Sequence, residues 1–362
     1  MLFKARVELF RGEILRNATH PLFYVCRIFG ILPYSNDYKF SNGWFKYSFL
    51  FCLAVFLNNT VLGWVVLGMF DVSYLAKAMD KLLHVLQSLI ENLCILAQLV
   101  SLIVYRSAFN KLLIGLRGLN EFKTVNNYNR YGVAICVIKI VLQVAAQVYT
   151  YDVAPNFNTY IFLSSCLGSF IFCLINLEYC GILELLRYQF GSVTEELRPN
   201  QYTLVPLTKR HHVLLELTTT LNEIFSWQLL IMCTGIFINL VTTLYVCIQA
   251  LSDLKVLTVL GTAGMCLWQI FLLFSLAISC EETKEKAEGF NNELFKLMRE
   301  SKDLCSNEKL HLYVTMKQTL NFTACGFFTI GYPLVTSIIA AATTYLVILV
   351  QFSMSDNTSG GK

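Results

Sequence analysis

Near the C-terminal end of the chain, five side chains of graded polarity share one stripe of a single predicted helix: Ser337, Ala341, Thr344, Ile348 and Gln351. Steps of three and four residues return to the same face of an α-helix. Hydroxyls and a carboxamide offer oxygens to a partly hydrated cation, and an apolar ring one turn away closes the same path by excluding water. Copies of this helix around an axis would form a pore, with Ile348 as the constriction and Gln351 as an outer amide ring. Tyr345 and Phe352 lie off the stripe and are expected to pack on neighbouring helices. The competing reading is a single buried helix in a monomeric bundle, because the small residues Ala340 to Thr344 suit close helix packing as well.

A second group of residues could hold a small organic molecule. Glu91 falls near the middle of an apolar span, where an ionisable side chain is costly unless it is paired, solvated or functional. Lys139 lies under the same rule, and Glu178 is expected in a salt link between helices. Trp64, Gln87, Tyr149, Tyr151, Tyr160, Ser165, Tyr245, Gln249 and Trp268 gather in the outer halves of several spans. Aromatic surface with few polar groups is the usual lining of a ligand pocket, although Tyr and Trp also settle at membrane interfaces for lipid reasons. His211 and His212 would point about 100° apart on a helix, so they cannot converge on one metal ion. No phosphate loop, nucleophile elbow or paired carboxylates are present, so nothing points to an enzyme, a metal or a cofactor.

Composition decides what must position these groups. Of 362 residues, 56% are hydrophobic and 14% charged, and the mean hydropathy is +0.56. Soluble domains are nearer 45–50% apolar and about 25% charged. The chain therefore reads as an all-α, polytopic membrane protein. Seven apolar spans can be counted, at about 44–69, 82–105, 132–151, 159–187, 224–250, 255–280 and 334–352. Gly331 and Pro333 predict a break before the last span. Met1–Asn17 is basic but has no apolar core, so no cleaved signal peptide is expected. Ten of the thirteen cysteines lie within apolar runs and no C-x-x-C pair occurs, which predicts free, buried thiols.

Lys and Arg alternate along the chain. Segments 1–43, 106–130, 187–223 and 281–318 carry six, five, four and seven of them, whereas 70–81, 152–158 and 251–255 carry two, none and one. By the positive-inside rule, segment 1–43 is cytoplasmic and the tail 353–362 extracellular. Apolar periodicity at Leu214, Leu217, Leu221 and Phe225, and again at Phe290, Leu294 and Leu297, predicts cytoplasmic anchor helices over about 187–223 and 281–320. A polar break is expected at Ser306-Asn307.

The end of the last span also carries a motif. Thr344-Tyr345, five apolar residues, then Gln351-Phe352 resembles the TYhhhhhQF signature of the insect gustatory receptor family. Cys325-Gly326-Phe327-Phe328, His20-Pro21-Leu22 and Phe29-Gly30-Ile31-Leu32-Pro33 are similar to further segments of that family. The resemblance implies an inverted seven-helix receptor in the plasma membrane of a sensory neuron dendrite. It implies a homo- or hetero-tetrameric, ligand-gated, non-selective channel that passes Na, K and Ca cations and detects a small-molecule tastant, with no nucleic-acid partner. It also implies that the hydrophobic residue three positions before the motif glutamine, Ile348, forms the gate. In the sugar-receptor branch glutamate commonly follows the motif tyrosine; Leu346 stands there instead, which favours a bitter or other non-sweet ligand over a sugar such as fructose. A metabotropic seven-helix receptor and a transporter are the other classes considered, and ligand-evoked current from this chain alone would separate them.

Overall fold

The computed structural model describes residues 24–32, 41–69, 78–118, 159–197, 201–252, 256–316 and 319–359, together with isolated helical residues 134, 137–138 and 141. A helical turn at 24–28 precedes α1 (Asn42–Met69), α2 (Ala78–Val104) and α3 (Arg106–Gly118). Then come α4 (Thr159–Glu195), α5 (Gln201–Ser252), α6 (Val256–Glu300), α7 (Lys302–Cys305) and α8 (Glu308–Thr315). A hairpin of β1 (Thr323–Ala324) and β2 (Phe328–Thr329) leads into α9 (Tyr332–Ser359). The protein is an all-α, polytopic membrane protein. Among the described residues α4, α5, α6 and α9 are long and apolar enough to cross a bilayer, and α2 with α3 makes a fifth such unit if its 77° bend is counted within one span. α1 covers the first span read from the sequence. Most of the third span, including Lys139, lies outside the described residues.

α4, α5 and α6 form the centre. α4 is apolar on every side, and Ile171, Cys173, Leu174 and Ile175 are sealed from solvent. Its polar groups are spent on neighbours: Asn176 Nδ2 donates to the Leu272 carbonyl at 3.5 Å, and Cys180 Sγ donates to Asn176 Oδ1 at 3.3 Å. The described cysteines are free, and most of them, including Cys94, Cys173, Cys233 and Cys280, are buried as small apolar fillers. Glu178 is also buried, but its Oε2 has no hydrogen-bond partner among the described residues, so the expected salt link is not formed by that oxygen. The link occurs further along α4, where Arg187 bridges Glu184 and Glu282 of α6. These groups are partly exposed, and desolvating the charges costs less there.

At 52 residues, α5 is about 78 Å long at 1.5 Å per residue, well beyond a hydrocarbon core of about 30 Å. Its first half therefore projects from the membrane, packed with the ends of α4 and α6 and with α8. The predicted apolar faces meet there: Leu214, Leu221, Phe225, Phe290 and Leu294 are buried. Asn307 caps α8 by accepting from the backbone N–H groups of Lys309 and Leu310. The histidines part company. His212 is exposed, while His211 is fully buried, stacked on Phe290 at 4.2 Å and 12°. Because a carbonyl only accepts, Nε2–H of His211 donates to the Ala287 carbonyl (2.9 Å), which leaves Nδ1 to accept from the Tyr313 hydroxyl (2.6 Å).

Burial lowers the His211 pKa from 6.5 to about 4. The ring is neutral in the fold but free to protonate once the helices around it part. Between pH 6.5 and about 4 the unfolded chain therefore binds the extra proton. The contribution of His211 is complete above pH 6.5 and decreases as the pH falls toward 4, by at most about 3 kcal/mol. The melting temperature of the parent protein should drop over this window more steeply than that of His211→Gln. Parallel pH profiles for the two would contradict the assignment.

Candidate functional site: the exposed face of the last helix

The chain enters α9 through a tightly held turn. Cys325 and Gly326 both adopt left-handed backbone conformations (φ 50° and 73°), which only glycine takes without strain. The hairpin is pinned to α5 by two side chains: Asn222 Oδ1 accepts from the Thr323 N–H at 3.2 Å, and Ser226 Oγ accepts from the Cys325 N–H at 2.7 Å. Gly331 follows, so close to α6 that a Cβ there would lie 2.7 Å from Glu281 Oε2. Pro333 falls in the first turn of α9, where its missing N–H costs nothing. The predicted break is thus the start of the helix and not a kink within it.

α9 packs through one side only. Val335, Ile338 and Ala342 are buried, with Ala342 against Leu240, Val241 and Cys266, while Tyr345 meets Phe237 edge-on at 5.7 Å. Only 17% of its span is buried in the chain, against 72% for α4. On the opposite side Ser337, Thr344, Ile348 and Gln351 are exposed and Ala341 is half-buried at the edge. A helix meant for lipid alone would expose leucine and phenylalanine there. This one exposes Thr336, Ser337, Thr343, Thr344 and Gln351. Each of these hydroxyls donates back to its own helix, Ser337 and Thr336 to the Pro333 carbonyl and Thr343 and Thr344 to the Ala340 carbonyl, at 2.8–3.0 Å. With the donors satisfied, oxygen lone pairs remain on the outer surface.

The second candidate group is placed only in part. Glu91 is buried and accepts from Ser169 Oγ at 3.0 Å, and a Cβ on Gly168 would lie 2.9 Å from Glu91 Oε2 and 3.1 Å from Asn59 Nδ2. Side chains of α1, α2 and α4 therefore meet at Gly168, where the Glu91 carboxyl group takes its hydrogen bond from α4, and neither Asn59 nor Ser169 was among the residues singled out from the sequence. Tyr245 and Trp268 are buried, Trp268 tilted against Phe271 at 5.7 Å, and Gln249 is half-buried. The side chains of Trp64, Gln87, Tyr160, Ser165 and Phe352, and all of Tyr149 and Tyr151, lie outside the described residues. The hairpin pins Asn222 and Ser226 were also missed; the paired Cys325-Gly326 was the available signal for a turn.

Comparison with known proteins supplies the context. The sequence profile described as 7tm chemosensory receptor matches residues 19–356. Gustatory and pheromone receptor 32a of Drosophila melanogaster is 35% identical over 96 residues, covering 26% of this chain and 21% of the relative. Gustatory receptor 68a of the same fly is 31% identical over 104 residues, covering 28% and 27%. These alignments span roughly a quarter of each relative. The solved olfactory receptor OR5 of Machilis hrabei, in complex with eugenol, superposes with a TM-score of 0.60 over 96% of this chain and 98% of that one, at 13% identity. That likeness extends to the fold.

Proposed function

Because the chain belongs to the 7tm chemosensory receptor family, we propose that it is a gustatory receptor acting as a ligand-gated, non-selective cation channel, with α9 from four subunits lining one pore. The observation that carries this is the unpartnered, oxygen-rich face of α9 centred on Thr344 and Gln351. Exposing such a face to hydrocarbon is costly, whereas water and passing cations suit it. Ile348, 40% exposed within that face, is the ring that closes the pore. The projecting halves of α4, α5 and α6, with α8, form the platform on which the subunits meet.

The ligand is a small organic compound of the bitter or otherwise non-sweet kind. It enters the outer half of the bundle and opens the pore by binding the open state more tightly than the closed one. α5 is the mechanical link, since one continuous helix touches the bundle interior, the hairpin and α9: Gly235 abuts Ile90 and Phe172, Asn222 and Ser226 hold the hairpin, and Phe237 meets Tyr345. The experiment that tests the channel reading is current recording from membranes containing this chain alone, against a panel of bitter compounds and sugars. Evoked cation current supports it, and a response that needs an added cytoplasmic partner refutes it.

Two further outcomes follow from this reading. Lys and Arg alternate between the segments that join the spans, and by the positive-inside rule this reading puts the N-terminus in the cytoplasm. A tag after Lys362 should bind antibody on intact cells and a tag before Met1 only after permeabilisation; the reverse pattern would invert the pore. Glu91→Gln replaces the carboxyl group that accepts from Ser169 of α4 with an amide of the same shape. It should shift the dose–response curve roughly fivefold or more, the scale of one charge-assisted hydrogen bond, and leave ion selectivity unchanged. An unaltered curve in a normally expressed variant would remove Glu91 from the ligand site.

A further inference from the structure

Where α2 ends, the chain turns by 77° at Tyr105 into α3. A helix that leaves a membrane-spanning helix at this angle runs close to the plane of the bilayer. One side of α3 is fixed to the protein. Leu112 is sealed, Phe109 lies 6.4 Å from the Phe225 ring, and Gly115 approaches Leu217 so closely that a Cβ would lie 2.5 Å from its methyl carbon. Phe225 stands at the membrane end of the projecting half of α5, so α3 sits at the level of the lipid headgroups.

The opposite side is basic. Arg106 and Lys111 are exposed there, with Ile114, also exposed, between them around the helix. Neither α3 nor the adjoining α1 contains an aspartate or glutamate. Arg106 is held by Asn42 Oδ1 (3.3 Å) and lies over the Phe45 ring (5.7 Å), which brings the exposed Lys46 of α1 to the same edge. Beside this cluster the surface turns apolar, with Leu50, Ile103 and Val104 all more than half exposed. Cationic groups bordering a greasy belt match an anionic headgroup above its acyl chains.

We propose that this corner of the protein, made by α3 and the start of α1, is a binding surface for anionic membrane lipid, with Lys46, Arg106 and Lys111 facing the phosphate. It depends on α2 being a membrane span and not on the channel reading. Through Leu217 and Phe225 the lipid would bear on α5 next to the Asn222 and Ser226 pins, so bilayer charge has a path to the entry of α9.

The test uses the full chain carrying photoreactive benzoylphenylalanine in place of Ser107, reconstituted in vesicles of phosphatidylcholine and phosphatidylserine and irradiated, with adducts weighed by mass spectrometry. Each basic group near a charged surface favours an anionic lipid about fivefold, so phosphatidylserine adducts should exceed the bulk ratio by roughly five- to twentyfold. Lys46→Gln with Lys111→Gln should cut the enrichment at least roughly threefold while sparing Arg106 and its contacts to Asn42 and Phe45, and Lys46→Arg with Lys111→Arg should preserve it. A bulk ratio in the parent, or an enrichment that the glutamine pair leaves unchanged, overturns the inference. The same probe at Leu267, which is 68% exposed on α6, should capture lipid without preference. Loss of lipid adducts at both positions would instead refute the membrane placement.

Discussion

Ile348→Ala and Ile348→Ser are expected to pass cation current without any ligand. On the proposed reading, four isoleucine side chains would bury one another in the closed pore and exclude water, and an ion could not shed its hydration there without replacement ligands. Burying one such side chain contributes about 1.5–3 kcal/mol, and about 1.4 kcal/mol is a factor of ten in an equilibrium. A ring of four that loses this contact should therefore leak at least roughly tenfold above the parent. The helix itself is little disturbed, because Ile348 is on the exposed side of α9 and makes none of the bundle contacts of Val335, Ile338 and Ala342. Leu349 is the internal control: it lies one residue on, packed beside Leu240, Val241, Cys266 and Ala342. Leu349→Ala should lower expression or stability without a leak. A leak from Leu349→Ala combined with a silent Ile348→Ala would mean that α9 is rotated relative to the axis.

Gln351→Arg should suppress cation current almost completely. Gln351 is exposed one turn beyond Ile348 on the same stripe, so four copies would face the path of the ion. At an effective dielectric constant of about 20, a like charge about 8 Å away costs a passing cation about 2 kcal/mol, and four such charges act together. The expected loss is at least roughly a hundredfold in cation conductance, with surface expression maintained because the side chain is exposed. Gln351→Glu should retain cation current. Equal currents from Gln351→Arg and the parent, measured at matched surface expression, would place this residue outside the pore.

How much of this could be read from the sequence depends on the range of the contacts. The stripe on α9 was legible because helical periodicity is a local property, and Ser337, Thr344 and Gln351 are exposed together on one face. The apolar faces of the platform were legible for the same reason, as was the stop at Asn307. The convergence on Glu91 was not, since Ser169 lies 78 residues away and nothing local marks Asn59 as its neighbour. The hairpin before α9 was hidden because strands of two residues have no period to read; only Cys325-Gly326 hinted at a turn. The bend at Tyr105 carries neither proline nor glycine, and it is set by α3 docking on Leu217 and Phe225 rather than by local preference. The fourth span, read as about 159–187, runs on as α4 to Glu195 because its amphipathic continuation packs on α5 and α6 and carries no local stop signal.

The most direct measurement is thiol accessibility during current recording from the purified protein in a planar bilayer. A cysteine is placed at Thr344, on the exposed stripe, or at Ala342, which is 1% exposed against α5 and α6, each in an Ile348→Ala background that conducts without ligand. A membrane-impermeant, positively charged thiosulfonate is then added, with the parent background as reference for the protein's own cysteines. If α9 lines the pore through this face, Thr344→Cys current is blocked irreversibly while Ala342→Cys and the background continue to conduct. Block at Ala342→Cys with none at Thr344→Cys would contradict the pore assignment.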